Sequence, residues 1–307
     1  KLIKEISNII LYIIQIRQDN FYIISNTEMN FVLNQYKNLT KSSFFIGAQP
    51  ETLQKDNLSL FYNELYSVTQ KADGERCFLF INSSKDMYFV DTNLKITKTN
   101  GKSEKYANIV IDGELLKIDN KIHFMAFDLL IMNGNDIRGI TEFNLIKRLD
   151  TIKYILPDIN FACKSYALSC KKYIFKNVFL GCELLLDNNK LLGNDVLGKE
   201  IQLNVPVDGL IFTPINEPYS LTKKWIKLLK WKPKELNTID FLSIKKECVD
   251  GKSFVWELYI QTVNEQKKME SELFDVNTLS LKFNFNFHTN TELITFKTEF
   301  DDSFIDP

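Results

Sequence analysis

The chain has 307 residues, of which 45% are hydrophobic and 25% are charged, as in an ordinary globular protein. This length is too great for one compact core and predicts a large domain plus a small one. Its 38 Lys and Arg residues are balanced by 39 Asp and Glu residues, which excludes a global basic field, so any nucleic acid would bind at a local patch.

Cysteine, histidine and hydropathy patterns exclude several further classes. The five cysteines form no C-x-x-C pair, which argues against a zinc site, and their odd number predicts reduced thiols in a cytoplasmic protein. The two histidines, His123 and His288, are interpreted as structural. The apolar run at residues 9–14 is too short to cross a bilayer, so we expect no membrane partner.

The N-terminal residues 1–17 predict an amphipathic helix. Its apolar positions recur at helical spacing and are Ile6, Ile9, Ile10, Ile13 and Ile16. We interpret this helix as packed on the body of the protein rather than on a membrane or a partner. Residues 18–46 predict no chemistry. Residue 1 is lysine rather than methionine, so we expect an excised piece of a longer protein.

The middle of the chain is predicted to be rich in β-strands. Gly47 and Pro50 indicate a loop, and residues 57–65 a short helix. The predicted strands that follow are at residues 65–68, 77–81, 88–90, 108–111 and 122–126. Residues 141–156 predict a helix with Thr141 as N-cap and Pro157 after its end. Residues 179–186 fit either a helix or a buried strand.

The C-terminal third has a different sequence pattern from the rest of the chain. Residues 207–213 and 226–231 predict strands, and Pro233 ends the second of them. Short alternating strands follow, without a long helix, at residues 241–245, 254–262, 280–287 and 293–300. This pattern predicts a small antiparallel, barrel-like domain that begins near residues 234–240.

Residues 71–76 read Lys-Ala-Asp-Gly-Glu-Arg and place polar side chains between two apolar, strand-like runs. A lysine attacks only as the neutral amine, so a nucleophilic Lys71 needs burial or nearby cations to lower its ordinary pKa of about 10.4. Lys230 and Lys232 would supply those cations if the fold brings them close. Taken alone, Lys71 also fits a solvated surface lysine.

Three Asp-Gly pairs, at residues 73–74, 112–113 and 208–209, lie beside apolar runs. Carboxylates next to buried strands are costly unless they meet a metal, a hydroxyl or a cation. Each pair also fits an ordinary tight turn. Both interpretations remain open from the sequence.

Lys230 and Lys232 are two residues apart and therefore face the same side of a strand. Two ammonium groups on one face favour a phosphate between them, although an exposed edge strand also accommodates them. A lysine nucleophile, carboxylates for a divalent metal and a lysine pair for phosphates together indicate phosphoryl or nucleotidyl transfer. The Walker loop and the kinase Gly-rich loop are both missing.

Residues 71–76 resemble the K-x-D-G-x-R signature of covalent nucleotidyltransferases, which comprise mRNA capping guanylyltransferases and polynucleotide ligases. The family's later motifs III, IIIa, IV and V resemble, in order, residues 111–115, 124–130, 207–212 and 228–233. Two stretches resemble the capping enzymes rather than the ligases, residues 45–50 and 237–241. The composition resembles capping enzymes of large cytoplasmic DNA viruses, of the poxvirus and African swine fever virus type.

The resemblance implies an α+β fold. A nucleotidyltransferase domain of ATP-grasp-like antiparallel sheets with helices would occupy residues 41–236, after a helical docking segment at residues 1–40. A small β-barrel of the OB-fold type would occupy residues 237–307 and close over the nucleotide. The family's motif VI, an R-x-D-K-like cluster, is missing from the tail. We therefore expect that the barrel is truncated.

The resemblance also implies a reaction. Lys71 would attack the α-phosphate of GTP, hold GMP through a phosphoramidate bond and pass it to the 5′-diphosphate end of RNA. Arg76 and Glu114 would contact the ribose. Phe127 would stack on guanine, with Phe124 as the fallback.

The remaining implied roles concern phosphates and metal. Lys230 and Lys232 would grip the α-phosphate region, and Asp73 would orient the loop or the nucleophile. Asp208, with Glu114, would place Mg²⁺ or Mn²⁺. Asp240 belongs to the family's tail.

The resemblance leaves two alternatives to a GTP:RNA guanylyltransferase. An ATP-dependent polynucleotide ligase shares the first step, and a non-catalytic nucleotide- or RNA-binding module would dispense with it. If the protein is a guanylyltransferase, flanking triphosphatase and methyltransferase domains of the same polypeptide are expected partners. The expected location is then the host cytoplasm or the virion.

Overall fold

The computed structural model describes residues 2–18, 22–119, 121–161, 165–187 and 190–236, followed by five separate strands. The chain divides into two units, Lys1–Trp231 and Lys232–Pro307. Each unit is described by itself.

The described part of the first unit holds helices and strands in an irregular order. Its helices are α1 (Leu2–Gln18), α2 (Asn26–Thr40), α3 (Leu60–Asn63), α4 (Leu145–Ile155) and α5 (Val178–Leu186). Its strands are β1 (Gln49–Thr52), β2 (Tyr66–Ala72), β3 (Glu75–Ile81), β4 (Asp86–Asp91), β5 (Ile96–Ser103), β6 (Ile109–Ile118), β7 (Lys121–Met132), β8 (Asn135–Asp136), β9 (Ile159–Phe161), β10 (Tyr166–Lys171), β11 (Tyr173–Ile174), β12 (Leu191–Asp195), β13 (Glu200–Leu203), β14 (Val207–Pro214) and β15 (Lys224–Trp231).

These strands form two sheets. The five-stranded sheet has the order β1-β15-β14-β2-β11, and the ten-stranded sheet has the order β13-β12-β10-β7-β6-β3-β4-β5-β9, with β8 on β7. The pairings β1–β15 and β7–β10 are parallel, and the others in these two sheets are antiparallel. The predicted α+β class is confirmed.

The central strands of the ten-stranded sheet are buried on both faces. Alternate residues of β3 face opposite sides, so Leu79 packs into one core cluster with α4, and Phe78 and Phe80 pack into another with α2. Tyr36 of α2 lies edge-on to Phe80, with ring centroids 5.7 Å apart. Burial on both faces explains why β3 reads as a continuous apolar run.

The chain crosses from one sheet to the other at Asp73 and Gly74. Strand β2 pairs with β14 in the five-stranded sheet, whereas β3 pairs with β4 and β6 in the ten-stranded sheet. A Cβ on Gly74 would lie 2.7 Å from the Glu114 side chain and from the Leu115 carbonyl oxygen, so only glycine fits this crossing. Two sheets joined by so short a link enclose a cleft beside the link.

Two helix predictions need correction. The helix predicted over residues 141–156 begins at Leu145, because the side chain of Asn144, not of Thr141, accepts the Lys147 amide at 3.0 Å. The N-terminal helix forms, but its apolar face is not packed on the body. The five isoleucines predicted to pack are 47–62% exposed and are Ile6, Ile9, Ile10, Ile13 and Ile16.

Other local predictions have mixed outcomes. Helix α2 was not predicted, and residues 179–186 are helical rather than extended. The short helix predicted at residues 57–65 is limited to α3, which follows a 3-10 turn at Lys55–Asn57. The described part of the chain contains no helix that is both long and apolar enough to cross a membrane.

The predictions of reduced cysteines and structural histidines can be compared with the structure at four residues. Cys77, Cys170 and Cys182 are free, and His123 is buried against the Ser169 hydroxyl at 2.7 Å. Burial lowers the pKa of His123 to about 4, which keeps the ring neutral near pH 7. The remaining two cysteines and His288 lie outside the described residues.

The second unit is described through its strands. Strands β16 (Leu242–Glu247), β17 (Phe254–Val263) and β18 (Met269–Leu273) form an antiparallel sheet, and β19 (Asn284–Asn286) pairs with β20 (Lys297–Glu299). Strand β18 was not predicted. The OB-fold and the domain boundaries at residues 40 and 236 remain predictions, and residues 237–241 lie outside the described residues.

Candidate active site

A cavity of about 230 Å³ lies between the two sheets of the first unit. Five of the predicted site residues line it and are Lys71, Arg76, Glu114, Phe127 and Lys230. They form two walls. We call the side with Lys71 and Lys230 the five-stranded wall, and the side with Arg76, Glu114, Phe127 and Lys171 the ten-stranded wall.

The five-stranded wall presents lysines from two strands, β2 and β15, that lie on either side of β14. Lys71 on β2 is opposite Gly209 on β14, and Lys230 on β15 is opposite Ile211. Gly209 has φ +134° at a bulge in β14, and Asp208 next to it forms an ion pair with the Lys71 ammonium. The side chains of both partners are partly exposed, 26% for Lys71 and 14% for Asp208.

The ten-stranded wall holds Arg76 rigidly. Its Nε and Nη2 donate to the two oxygens of Asp112 at 3.1 and 2.6 Å, and its Nη1 donates to the Ala48 carbonyl oxygen at 2.8 Å. The Asp112 side chain is fully buried. Burial opposes the charge of Arg76, but the neighbouring Asp112 carboxylate outweighs it and raises the pKa of the guanidinium.

Tyr219 completes this arrangement from the segment between β14 and β15. Its hydroxyl donates to Asp112 at 2.9 Å and accepts the Ala48 amide at 2.7 Å and Arg76 Nη2 at 3.2 Å. Burial and the Asp112 carboxylate raise the pKa of Tyr219 well above its ordinary value, so the hydroxyl stays protonated.

Phe127 lies close to two cations on the same wall. Its ring centroid is 5.6 Å from the Arg76 guanidinium carbon and 4.9 Å from Lys171 Nζ. Lys171 Nζ is also 3.6 Å from a Glu114 oxygen. Burial, together with the charge of Lys71, lowers the pKa of Lys171 although Glu114 opposes the change.

A second buried ion pair joins Arg148 to Asp128, which also lines the cavity. Arg148 Nε and Nη2 donate to the Asp128 carboxylate at 2.6 and 3.1 Å, and neither side chain is more than 5% exposed. Arg148 Nη1 also donates to the carbonyl oxygens of Phe143 and Glu217. Burial raises the pKa of Asp128, and Arg148 opposes that change.

Three predicted residues are not part of the cavity lining. Asp73 is exposed and borders a different surface cavity. Asp208 reaches the site through Lys71, as described above. Lys232 follows the last residue of β15 and is the first residue of the second unit. Asp240 lies outside the described residues.

Two interpretations are wrong. Phe124, the fallback for base stacking, is fully buried in the core, where its ring approaches Gly113 and Phe89. The tight-turn alternative fails for two Asp-Gly pairs, because residues 112–113 lie inside β6 and residues 208–209 lie inside β14, whereas residues 73–74 form the two-residue link between β2 and β3. The buried carboxylate of Asp112 meets a cation instead.

The carboxylates fit a divalent cation only together with a substrate. Within the described ranges, no three His, Cys, Asp or Glu side chains converge in a way that could hold a metal ion. Asp208 and Glu114 each face a lysine, and Mg²⁺ is commonly held by one or two carboxylates plus substrate phosphates. The donor set is therefore compatible with a metal that arrives with a nucleotide.

Sequence reasoning missed Lys171, Tyr219 and Arg148. The signal for Arg148 was present, because the residue lies on the apolar stripe of α4 with Leu145 and Ile152. A charged residue on such a stripe needs a buried partner. No comparable local signal marks Lys171 or Tyr219, whose partners are distant in sequence.

Comparison with known proteins extends these observations. The family model described as "mRNA capping enzyme, catalytic domain" matches residues 13–234. A "Probable mRNA-capping enzyme" of Acanthamoeba polyphaga mimivirus is 30% identical over 298 residues, covering 80% of this chain and 25% of the relative. The "mRNA-capping enzyme" of Caenorhabditis elegans is 30% identical over 249 residues, covering 75% of this chain and 39% of the relative.

The chain thus spans well under half the length of these two relatives. Among solved structures, "mycobacterial DNA ligase D complexed with ATP and MES" aligns with 12% identity and a TM-score of 0.42, covering 73% of this chain and 69% of that one.

Proposed function

Because the chain belongs to the family of mRNA capping enzyme catalytic domains, we propose that it is a guanylyltransferase that forms lysyl-GMP at Lys71 and transfers GMP to RNA. The observation that carries the proposal is the position of Lys71. It projects from the five-stranded wall into a cavity whose opposite wall offers an arginine, a carboxylate and an aromatic ring.

In the first step, Lys71 Nζ attacks the α-phosphorus of GTP. A P–N bond forms, the bond to the bridging oxygen breaks, and pyrophosphate leaves with the electron pair. The amine must lose a proton before it attacks, and the Asp208 carboxylate that contacts Nζ is the group that can accept it. Asp208 also holds the amine at one position in the cavity.

The two walls divide the work on the substrate. Lys230 stabilises negative charge on the α-phosphate, because it lines the cavity on the strand next to β14. Phe127 stacks on the guanine base, and Arg76 and Glu114 bind the ribose; the support is that all three residues line the cavity opposite Lys71. The Lys171 ammonium beside Phe127 adds a hydrogen-bond donor next to the base.

A bound Mg²⁺ or Mn²⁺ ion, held by Asp208 and Glu114 together with phosphate oxygens, would supply further charge neutralisation. In the second step, a terminal oxygen of 5′-diphosphate RNA attacks the same phosphorus. The P–N bond breaks, Lys71 recovers its proton, and the product carries a G(5′)ppp(5′)N cap.

Wider assignments are part of the same proposal. Residues 41–236 act as the nucleotidyltransferase domain and residues 237–307 as an OB-fold lid, with Lys232 and Asp73 assisting at the phosphates and the nucleophile loop. Triphosphatase and methyltransferase domains flank this segment in a longer cytoplasmic polypeptide. The small share of the mimivirus relative that the chain covers is compatible with such further domains.

Covalent labelling tests the proposal. The chain is incubated with α-³²P-GTP or α-³²P-ATP and Mg²⁺ or Mn²⁺, and acid-labile, alkali-stable label on the protein is measured. We expect label from GTP alone and its loss in Lys71→Ala. Lys153→Ala changes an exposed lysine of α4 and should label like the wild type.

Other outcomes separate the alternatives. Label from ATP alone would identify a ligase-type first step instead. The absence of label from both nucleotides, in a protein that binds them, would contradict catalysis and favour a binding module.

A further inference from the structure

The inference concerns the segment at residues 215–220, between β14 and β15, to which the sequence motifs assign no role. Its backbone is fixed at several points. The Ile215 carbonyl oxygen accepts the Leu145 amide at 3.1 Å, the Tyr219 carbonyl oxygen accepts the Gly139 amide at 2.8 Å, and the Glu217 carbonyl oxygen accepts Arg148 Nη1 at 3.1 Å. The segment is therefore a rigid strap, and its residue Tyr219 lines the cavity.

The strap holds one aromatic side chain in a single place. The Tyr219 ring is 2% exposed, lies 5.4 Å from the Trp225 ring and has the Arg148 guanidinium 5.8 Å from its centroid. Its hydroxyl has one hydrogen to donate and two lone pairs, and all three are used, by Asp112, Ala48 and Arg76. A hydroxyl without spare capacity cannot turn toward a ligand, so its role is to hold its neighbours.

The hydrogen-bond donors of Arg76 show how Tyr219 helps to fix the guanidinium group. A guanidinium carries five N–H groups. Nε uses one on Asp112, Nη2 uses two on Asp112 and Tyr219, and Nη1 uses one on Ala48. One N–H on Nη1 remains after these contacts, and Arg76 lines the cavity.

We propose that Tyr219 is a positioning residue for nucleotide binding: by engaging Nη2 and Asp112 together, it fixes the guanidinium so that Nη1 presents its remaining N–H to the nucleotide. The inference rests on the proposed function for the identity of the nucleotide. It adds a residue that acts only through Arg76 and Asp112. Without the Tyr219 hydroxyl, one N–H of Arg76 Nη2 and the Ala48 amide each lose their hydrogen-bond acceptor.

Tyr219→Phe tests the role, because it keeps the ring and its packing. We expect KM for GTP in the labelling reaction to rise about tenfold, the factor that a hydrogen bond to a charged group is commonly worth, with kcat almost unchanged. Tyr66→Phe is the matched control. Tyr66 is equally buried, and its hydroxyl donates to the Lys227 carbonyl oxygen at 3.0 Å, away from the cavity.

The double variant distinguishes positioning from general support. Arg76→Lys removes the guanidinium group that Tyr219 holds. In that background, adding Tyr219→Phe should change KM by less than about twofold. An equal rise in both backgrounds, or an unchanged KM in the single variant, would overturn the inference. Thermal unfolding confirms that the variants are folded.

A second substitution covers the case in which Tyr219→Phe does not fold. Incorporation of 3-fluorotyrosine at position 219 keeps the ring and the hydroxyl but makes the oxygen a poorer acceptor, so KM should still rise, and an unchanged KM overturns the inference. Failure of the wild type to label with GTP would instead refute the proposed function. A wild type that labels while the variants retain its KM refutes this inference alone.

Discussion

The two walls of the cavity are built differently. On the five-stranded wall, Lys71 and its partner Asp208 are partly exposed, and Lys230 lies two strands away. On the ten-stranded wall, the Asp112 carboxylate is fully buried and bound twice by Arg76. The charged groups of the five-stranded wall can therefore change partners, whereas those of the ten-stranded wall are fixed in buried ion pairs.

This difference follows from what each wall has to do in the proposed reaction. A nucleophile must release its counter-ion, bind phosphorus and release it again, so its contacts must be exchangeable. The nucleoside end of the substrate does not react, so groups that bind it gain from being held rigidly before binding. Substitutions should therefore separate activity from stability on one wall and couple them on the other.

The largest effect is expected on the five-stranded wall. Lys230→Ala should lower the rate of covalent labelling about 100-fold, because one cation at the reacting phosphate is lost. The midpoint of urea unfolding should stay close to the wild-type value, since Lys230 is only half-buried. Lys224→Ala, on the same strand and 67% exposed, is the control and should affect neither quantity. A parallel loss of stability in Lys230→Ala would contradict the difference between the walls.

On the ten-stranded wall the expected loss includes the fold. Asp112→Asn leaves the Arg76 guanidinium without its counter-charge and should lower the free energy of unfolding by about 3 kcal/mol. Nucleotide binding should weaken at the same time. Asp136→Asn breaks a similar bidentate pair with Arg138, but its carboxylate is 36% exposed, so about 1 kcal/mol or less is expected. Equal losses from both substitutions in urea titrations would refute the distinction.

A smaller effect should follow from removing the aromatic face. Phe127→Leu keeps an apolar side chain but loses the aromatic ring on which the guanine base would stack, so KM for GTP should rise about tenfold. Phe179→Leu changes a phenylalanine of α5 that is 64% exposed and should leave KM as it is. If KM in Phe127→Leu equals the wild-type value, the base does not stack there.

The smallest effect is expected at the outer edge of the ten-stranded sheet. Asp158 accepts the Ser103 hydroxyl and the amides of Glu104 and Lys105. Burial opposes its charge, but these hydrogen bonds outweigh it and lower its pKa below the ordinary 3.8. The stabilisation is therefore present above pH 3.8 and is lost as the pH falls through the folded-state pKa.

Asp158→Asn should cost about 1 kcal/mol at pH 7 and nothing in labelling rate. The difference from the wild type should shrink in unfolding curves measured at decreasing pH below 3.8. Asp150→Asn, in an exposed pair with Lys153, provides the comparison and should leave both the free energy of unfolding at pH 7 and the labelling rate close to the wild-type values. A change in labelling would show that this edge is coupled to the cavity.

The sequence allowed the strands around the site to be predicted because their patterns are local. The apolar runs of β3, β6 and β14 adjoin Asp-Gly pairs or polar segments. Each of these predicted runs is part of a strand in the structure. Helix α2 was missed although Ser25 and Glu28 have capping-box spacing, and the Ser25 hydroxyl accepts the Glu28 amide at 3.1 Å.

Contacts between distant residues were beyond such patterns. Nothing near Tyr219 indicates that its hydroxyl reaches Asp112, 107 residues earlier. The exposure of α1 was also unpredictable, because helical spacing reveals an apolar face but not whether another element covers it. The roles assigned to individual site residues remain predictions until the labelling experiments are done.

The crossing at Asp73 and Gly74 has a consequence for the size of the substrate. Lys71 and Arg76 belong to different sheets but are five residues apart, so their backbones cannot separate by more than about 18 Å. However the sheets shift against each other, this short covalent tether limits the span between the phosphate end and the nucleoside end of the cavity. The link between β2 and β3 thus sets an upper limit on the distance between the two groups that bind the nucleotide. A single residue inserted in this link should disturb nucleotide selection without altering any side chain in the cavity.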